Sequence, residues 1–164
     1  MRELWVEKYR PTNITEYVFR DDKQRNQVSN WVKSGAIPHL LFSGGAGTGK
    51  TTLAKVLLNE LDVDAGDIMI INASNENNVD TMRTKIQGFA SSFPFSGEFK
   101  YVLLDEADYL SQNAQAILRN MMETYSQTCR FVLTCNYPNK VIPAIHSRCQ
   151  GYHIEKLDQT EFTV

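Results

Sequence analysis

No charge of one sign dominates this chain: 17 Lys and Arg stand against 19 Asp and Glu, for a net charge of −2 at pH 7. That balance excludes a broadly basic protein coating nucleic acid, though it leaves room for a local phosphate-binding strip. Long apolar runs are missing as well. None approaches the roughly 20 residues of a membrane span, and Met1-Arg2-Glu3-Leu4 carries no signal-peptide pattern. Cysteine is sparse: the three (Cys129, Cys135, Cys149) are odd in number and form no Cys-x-x-Cys pair. A disulfide framework or a zinc site is therefore not expected. His39, His146 and His153 show no ligand spacing, and neither repeats nor low-complexity stretches occur. The chain reads as a soluble domain from a reducing compartment.

What is present is ordinary globular composition, 42% hydrophobic and 22% charged over 164 residues. One domain with a sizeable core fits that length. Short apolar runs alternate with helical patterns. The runs are His39-Leu40-Leu41-Phe42, Ile68-Met69-Ile70-Ile71, Tyr101-Val102-Leu103-Leu104, Arg130-Phe131-Val132-Leu133-Thr134 and a weaker Tyr152-His153-Ile154. Bounded by turn residues, they predict buried strands. Between them, Leu53, Val56 and Leu57 begin one helical face, and Val79, Met82, Ile86 and Phe89 form a second. The clearest stripe is Ala114, Ile117, Leu118, Met121, Met122 and Tyr125, whose methionines read as core. A further helix over residues 23–33 precedes the first strand. Strand–helix alternation predicts an α/β fold, a five-stranded parallel sheet with helices on both faces.

The first run leads into Ser43-Gly44-Gly45-Ala46-Gly47-Thr48-Gly49-Lys50-Thr51-Thr52, which contains Gly-x-x-x-x-Gly-Lys-Thr, the Walker A pattern. Glycines let successive N–H groups point into an anion-binding nest, and the helix that follows adds its dipole. Lys50 reaches the β- and γ-phosphates of ATP, while the Thr51 hydroxyl is a ligand for Mg²⁺. A glycine-rich turn with an exposed lysine is the bland alternative, but a strand before the motif and a helix after it favour the nucleotide.

The third run ends in Asp105-Glu106. Parallel sheets bind ligands at the carboxyl ends of their strands. Asp105 is therefore the candidate Mg²⁺ ligand and Glu106 the group that orients or deprotonates the attacking water. Alone, the pair would read equally well as an acidic start to the next helix. Asp105-Glu106-Ala107-Asp108 also spells the signature of DEAD-box helicases. Those enzymes need two RecA-like domains, and this chain has room for one.

Five segments together resemble the sliding-clamp loader subunits of the AAA+ superfamily, namely replication factor C small subunits and the related large loader subunit of T-even-type phages. Trp5-Val6-Glu7-Lys8-Tyr9-Arg10-Pro11 is similar to their N-terminal signature, which implies that Tyr9, Arg10 and Pro11 pack near the adenine. Walker A and Walker B follow at the family's spacing. Leu133-Thr134-Cys135-Asn136-Tyr137 resembles sensor 1, with Asn136 directed to the γ-phosphate or the water. Ser147-Arg148-Cys149 resembles the motif whose arginine acts on ATP bound to a neighbouring subunit. Ala114 to Arg119 and Met122 to Ser126 resemble the family's linking helix.

The resemblance implies a P-loop NTPase of RecA-like AAA+ type. Its function would be that of an ATPase motor, weak as an isolated domain, which opens and loads a sliding clamp on primer-template DNA. Its partners would be the other loader subunits, the clamp and DNA, with no membrane. Its location would be the cytoplasm, or the nucleus in a eukaryotic host. Residues 1–158 would form the nucleotide-binding domain and 159–164 the start of a linker to a lid that the 164 residues do not include. Asn78, Arg83 and Ser111, at or near helix starts, are candidate DNA-phosphate contacts. Family members often carry a basic residue where Asn77 stands, which puts one DNA-coupled switch in doubt. A small-molecule P-loop kinase is the alternative, although such enzymes have no need of Ser-Arg-Cys.

Overall fold

The computed structural model describes residues 30, 31, 33, 37–45, 49–75, 79–95 and 99–154. Among these residues lie five parallel strands: β1 (Leu40–Ser43), β2 (Ile68–Asn72), β3 (Lys100–Asp105), β4 (Cys129–Cys135) and β5 (Gln150–His153), in the order β2-β3-β4-β1-β5. Four α-helices join them: α1 (Lys50–Glu60), α2 (Val79–Ala90), α3 (Gln112–Thr124) and α4 (Pro143–Arg148). Most of the helix expected at 23–33 lies outside the described residues; Asn30, Trp31 and Lys33 are helical.

Strand order and handedness explain the layers. From β1 the chain runs to the far β2 edge, and every later connection steps back in the opposite direction. Right-handed crossovers must then put α1 on one face and α2, α3 and α4 on the other. The core divides accordingly. Leu53, Ala54 and Leu57 of α1 pack on Leu40, Phe42, Leu103 and Val132. Met82, Ile86, Leu118, Met122 and Ile145 of the other helices pack on Leu41, Val102, Leu104 and Leu133. Adjacent strand residues thus face opposite layers, so the central strands read as unbroken apolar runs rather than alternating ones.

The second run departs from its expected burial. As the edge strand, β2 is covered only in part, and Ile70 is 57% exposed. An apolar run reports strand propensity, while coverage depends on a neighbour that the run does not encode. The fifth run also shifts, to Gln150–His153, because pairing with β1 begins at Leu40↔Gln150.

Helix α3 shows how one polar residue enters the core. Its stripe buries Ala114, Leu118, Met121 and Met122, and Ser111 caps its start by accepting the Ala114 N–H at 3.1 Å. Gln115 is buried too. Its Nε2 donates to the carbonyls of Leu110 (3.0 Å) and Lys140 (2.9 Å), and its Oε1 accepts the Ile142 N–H at 2.7 Å. One side chain thus satisfies backbone groups of two loops that have no ladder partner.

Candidate nucleotide site

Three loops meet at the carboxyl edge of the sheet, those that follow β1, β3 and β4. The phosphate loop leaves β1 at Ser43, which pairs with Cys135 at the end of β4, and the Gly44 N–H donates to the Cys135 carbonyl at 3.2 Å. Gly49 takes φ 92°, a left-handed conformation open to glycine, and starts α1. The amino end of α1 has no side-chain cap and no acidic residue in its first turn, the arrangement expected of an anion site. Ala46, Gly47 and Thr48 lie outside the described residues, as do Tyr9, Arg10, Pro11, Asn77 and Asn78.

Lys50 is 8% exposed, and its Nζ donates to the carbonyls of Gly44 (2.9 Å) and Gly45 (2.8 Å). The ammonium therefore sits inside the loop, on the groups that shape it. Burial pulls its pKa below the usual lysine value, against the opposing pull of Cys135, Asp108, Asp105 and Glu106. An anion placed at the loop would favour the charged form of this lysine. Thr52, in the first turn of α1, is half-buried.

Thr51 and Asp105 come together. The Thr51 hydroxyl donates to Asp105 Oδ1 at 2.9 Å, across the loop and the end of β3. Thr134 of β4 donates to the same oxygen at 3.0 Å and accepts the Glu106 N–H at 3.1 Å. A hydroxyl and a carboxylate oxygen this close are hard donors of the kind Mg²⁺ takes, alongside waters and substrate phosphates. The residues present fit that ion.

Glu106 holds φ 60°, ψ 46°, the left-handed region that a non-glycine residue seldom adopts. Its carboxylate makes no capping bond to the short 3-10 turn Ala107–Tyr109 that it introduces. Such a conformation persists because neighbours over-determine it; here the Thr134 hydroxyl pins its N–H. Asn136 follows β4 at the same edge, its N–H donating to Asp108 Oδ2 at 3.2 Å.

Arg148 is elsewhere. It ends α4 and pairs with Glu123 of α3, Nη2 to Oε1 at 2.9 Å. Two residues later β5 begins opposite Leu40, the first residue of β1, so Arg148 lies at the amino edge of the sheet. The guanidinium also weighs on His39 at that edge. Arg83 pairs with Asp80 at 2.9 Å, beside a groove lined by Ile117, Asn120 and Met121; Ser111 borders a separate groove with Asn139 and Lys140. The two candidate DNA contacts among the described residues, Arg83 and Ser111, do not share one groove.

Sequence reasoning missed Thr134, Asp108 and Gln115 as working residues. A threonine interrupting an apolar strand beside Asn136 was the available signal for the first.

These features define a phosphate-loop nucleotide-binding domain. The family described as "ATPase family associated with various cellular activities (AAA)" matches residues 40–155, and the chain belongs to it. Replication factor C small subunits are similar along nearly all of the chain. That of Methanoculleus marisnigri is 46% identical over 159 residues, covering 95% of this chain and 49% of the relative. That of Methanocella arvoryzae is 43% identical over 164 residues, covering 98% and 51%. The clamp-loader resemblance read from the motifs is borne out, and the chain spans about half the length of these relatives. In fold it is similar to the Thermotoga maritima RuvB Holliday junction branch migration motor, with TM-score 0.71 and 20% identity over 92% of this chain and 49% of that one. A DNA polymerase III gamma subunit-related protein of the same organism gives 0.66 and 20%, over 83% and 47%. Among the described residues, no helix is long and apolar enough to cross a membrane.

Proposed function

We infer that this chain is the ATP-binding and ATP-hydrolysing part of a sliding-clamp loader subunit, working with other subunits on a clamp and primer-template DNA. The observation that carries the reading is the 2.9 Å contact of Thr51 with Asp105 beside the phosphate loop, in a chain 46% identical to a replication factor C small subunit. Lys50 and the N–H groups at the start of α1 bind the phosphates. Thr51 and Asp105 would hold Mg²⁺, which would supply positive charge to offset that of the bound phosphates. Glu106 takes the proton of the attacking water, and the Asn136 amide orients that water or the γ-phosphate. The nucleotide-binding fold is carried by residues 40–154; the domain boundary expected at residue 158 lies outside the described residues.

The position of Arg148 supports action between subunits. Four strand residues at about 3.3 Å each separate its edge of the sheet from its own phosphate loop, a separation that supports a role on a neighbour's ATP rather than its own. A protein partner also has a surface to meet. Phe93 and Phe95 are 88% and 77% exposed after α2, large apolar groups of the kind found at protein contacts. Two buried charges shape that segment. Asp67 accepts the Phe95 N–H at 2.7 Å, and the Lys100 ammonium donates to the Phe89 carbonyl at 3.0 Å and to the Ser92 hydroxyl. Asn78, Arg83 and Ser111 are the proposed DNA-phosphate contacts, Arg83 exchanging the Asp80 carboxylate for a phosphate. Nothing in the fold or the relatives favours the kinase alternative.

The test uses the full-length protein with its partner subunits. Lys50→Ala should remove ATP binding by calorimetry. Glu106→Gln should keep ATP and Mg²⁺ binding but lose turnover, because an amide cannot accept the proton. Equal ATP affinity in the Lys50 variant, or unchanged turnover in the Glu106 variant, overturns the corresponding assignment.

A further inference from the structure

Two successive peptide N–H groups just past β4 converge on one buried carboxylate. Asn136 and Tyr137 both donate to Asp108 Oδ2, at 3.2 and 3.0 Å. Paired N–H groups of this kind form a small anion nest, and here the chain fills the nest from its own side chain. Asp108 is only 9% exposed. Its second oxygen, Oδ1, is buried with no hydrogen-bond partner among the described residues. Burying a carboxylate with part of its acceptor capacity unmet is costly, and the two charge-assisted bonds offset that cost.

The carboxylate belongs to the 3-10 turn that opens directly after Glu106. This turn is fixed from both sides. The Glu106 N–H is held by Thr134 of β4, and the Tyr109 N–H closes back on the Glu106 carbonyl at 3.0 Å. Thr134 therefore ties β4 to Glu106, and Asp108 ties the residues after Glu106 back to the exit of β4. The two contacts form a closed brace between the turn after Glu106 and the segment carrying Asn136.

We propose that Asp108 is a positioning residue that holds Asn136 in fixed relation to Glu106, so that amide and base address the same γ-phosphate and water. The proposal rests on the reading of Asn136 and Glu106 given above. With Asp108 gone, the peptide groups of residues 136 and 137 lose their shared anchor, and the Asn136 side chain moves with them. A displacement near 1 Å in a catalytic constellation costs on the order of 10²-fold in rate. ATP affinity, set by the phosphate loop, should change little.

A double-mutant cycle in the full-length protein assembled with its partner subunits tests this, reading kcat and KM for ATP. Asp108→Ala should lower kcat by about 10- to 100-fold and leave KM within about 3-fold. Asp108→Asn, which keeps an acceptor oxygen for both N–H groups, should recover most of that loss. The double variant Asp108→Ala, Asn136→Ala should be no slower than Asn136→Ala alone, because Asp108 acts through Asn136. If the alanine variant does not assemble, Asp108→Ser, too short to span both N–H groups, takes its place in the cycle. Losses that multiply in the double variant, an asparagine variant as slow as the alanine one, or an unchanged kcat each overturn the proposal. Asn136→Ala at full speed would instead overturn the underlying reading of Asn136, so the two failures are distinguishable.

Discussion

Thr134 donates its hydroxyl proton to Asp105 Oδ1 at 3.0 Å, and the same hydroxyl accepts the Glu106 N–H at 3.1 Å. One buried side chain thus fixes both acidic residues of the site, from a strand that contributes neither. Thr134→Val keeps the shape but leaves the Glu106 N–H without its acceptor and takes one donor from Asp105. Stability should fall by about 1–3 kcal/mol, the usual cost of a buried group left unsatisfied. Turnover should fall further than ATP affinity, because the left-handed conformation of Glu106 loses its support. Thr134→Ser, which retains the hydroxyl, should restore most of both. Urea denaturation and steady-state hydrolysis measure the two effects. A valine variant indistinguishable from the unaltered protein in both would refute the role.

His39 provides a pH signature at the opposite edge of the sheet. Its Nδ1 accepts the Phe131 N–H at 3.1 Å, and its Nε2 lies 3.2 Å from the Met122 carbonyl. Only the neutral ring with its proton on Nε2 satisfies both bonds. Burial, and secondarily the charge of Arg130, lower its pKa from 6.5 to about 4. Below pH 6.5 the unfolded chain binds a proton that the folded chain refuses until about pH 4. Stability therefore rises with pH across that window and is lost on acidification, by about 3 kcal/mol in total. His39→Gln, which cannot titrate, should flatten this part of the curve. Urea unfolding at a series of pH values from neutral down to about pH 4 tests it; equal slopes in the two proteins would rule it out.

What the chain discloses in linear order, and what it conceals, follows from where the partners lie. The phosphate loop is legible because its function is carried by consecutive residues, from the glycines to Lys50 and Thr51. The central strands are legible because burial on both faces leaves them uniformly apolar. The exposure of β2 is not, since the same composition serves an edge or a central strand until the sheet order is known. Thr134, Asp108 and Gln115 stayed hidden for another reason. Their partners stand 25 to 29 residues away for most of their bonds, on elements brought near only by the fold. A polar residue beside an apolar stripe, such as Gln115 next to Ala114, looks like the solvent face until the loop it satisfies is in place. The Ser-Arg-Cys motif was readable, but the distance of Arg148 from its own phosphate loop needed the β1–β5 register.

That register leads to the prediction about cooperation between subunits. Arg148 ends α4 two residues before β5, and β5 starts beside the first residue of β1, whereas the phosphate loop departs beyond the last, Ser43. The guanidinium is held by Glu123 in an ion pair at 2.9 Å, with both side chains more than a third exposed. Exposed pairs of this kind contribute at most about 1 kcal/mol, so Glu123 orients Arg148 without locking it. Arg148→Ala should therefore leave the fold, ATP binding and whatever hydrolysis the isolated chain performs nearly unchanged. On the proposed reading, the same substitution should cripple turnover once the protein is assembled with its partner subunits. An arginine supplied across an interface is worth roughly 10³–10⁵ in rate for related phosphate-loop enzymes, and most of that should be lost. The decisive measurement is steady-state ATP hydrolysis as a function of protein concentration, with and without the substitution. Full activity in a dilute, strictly monomeric sample would show that no neighbour is needed and would remove the basis for action between subunits.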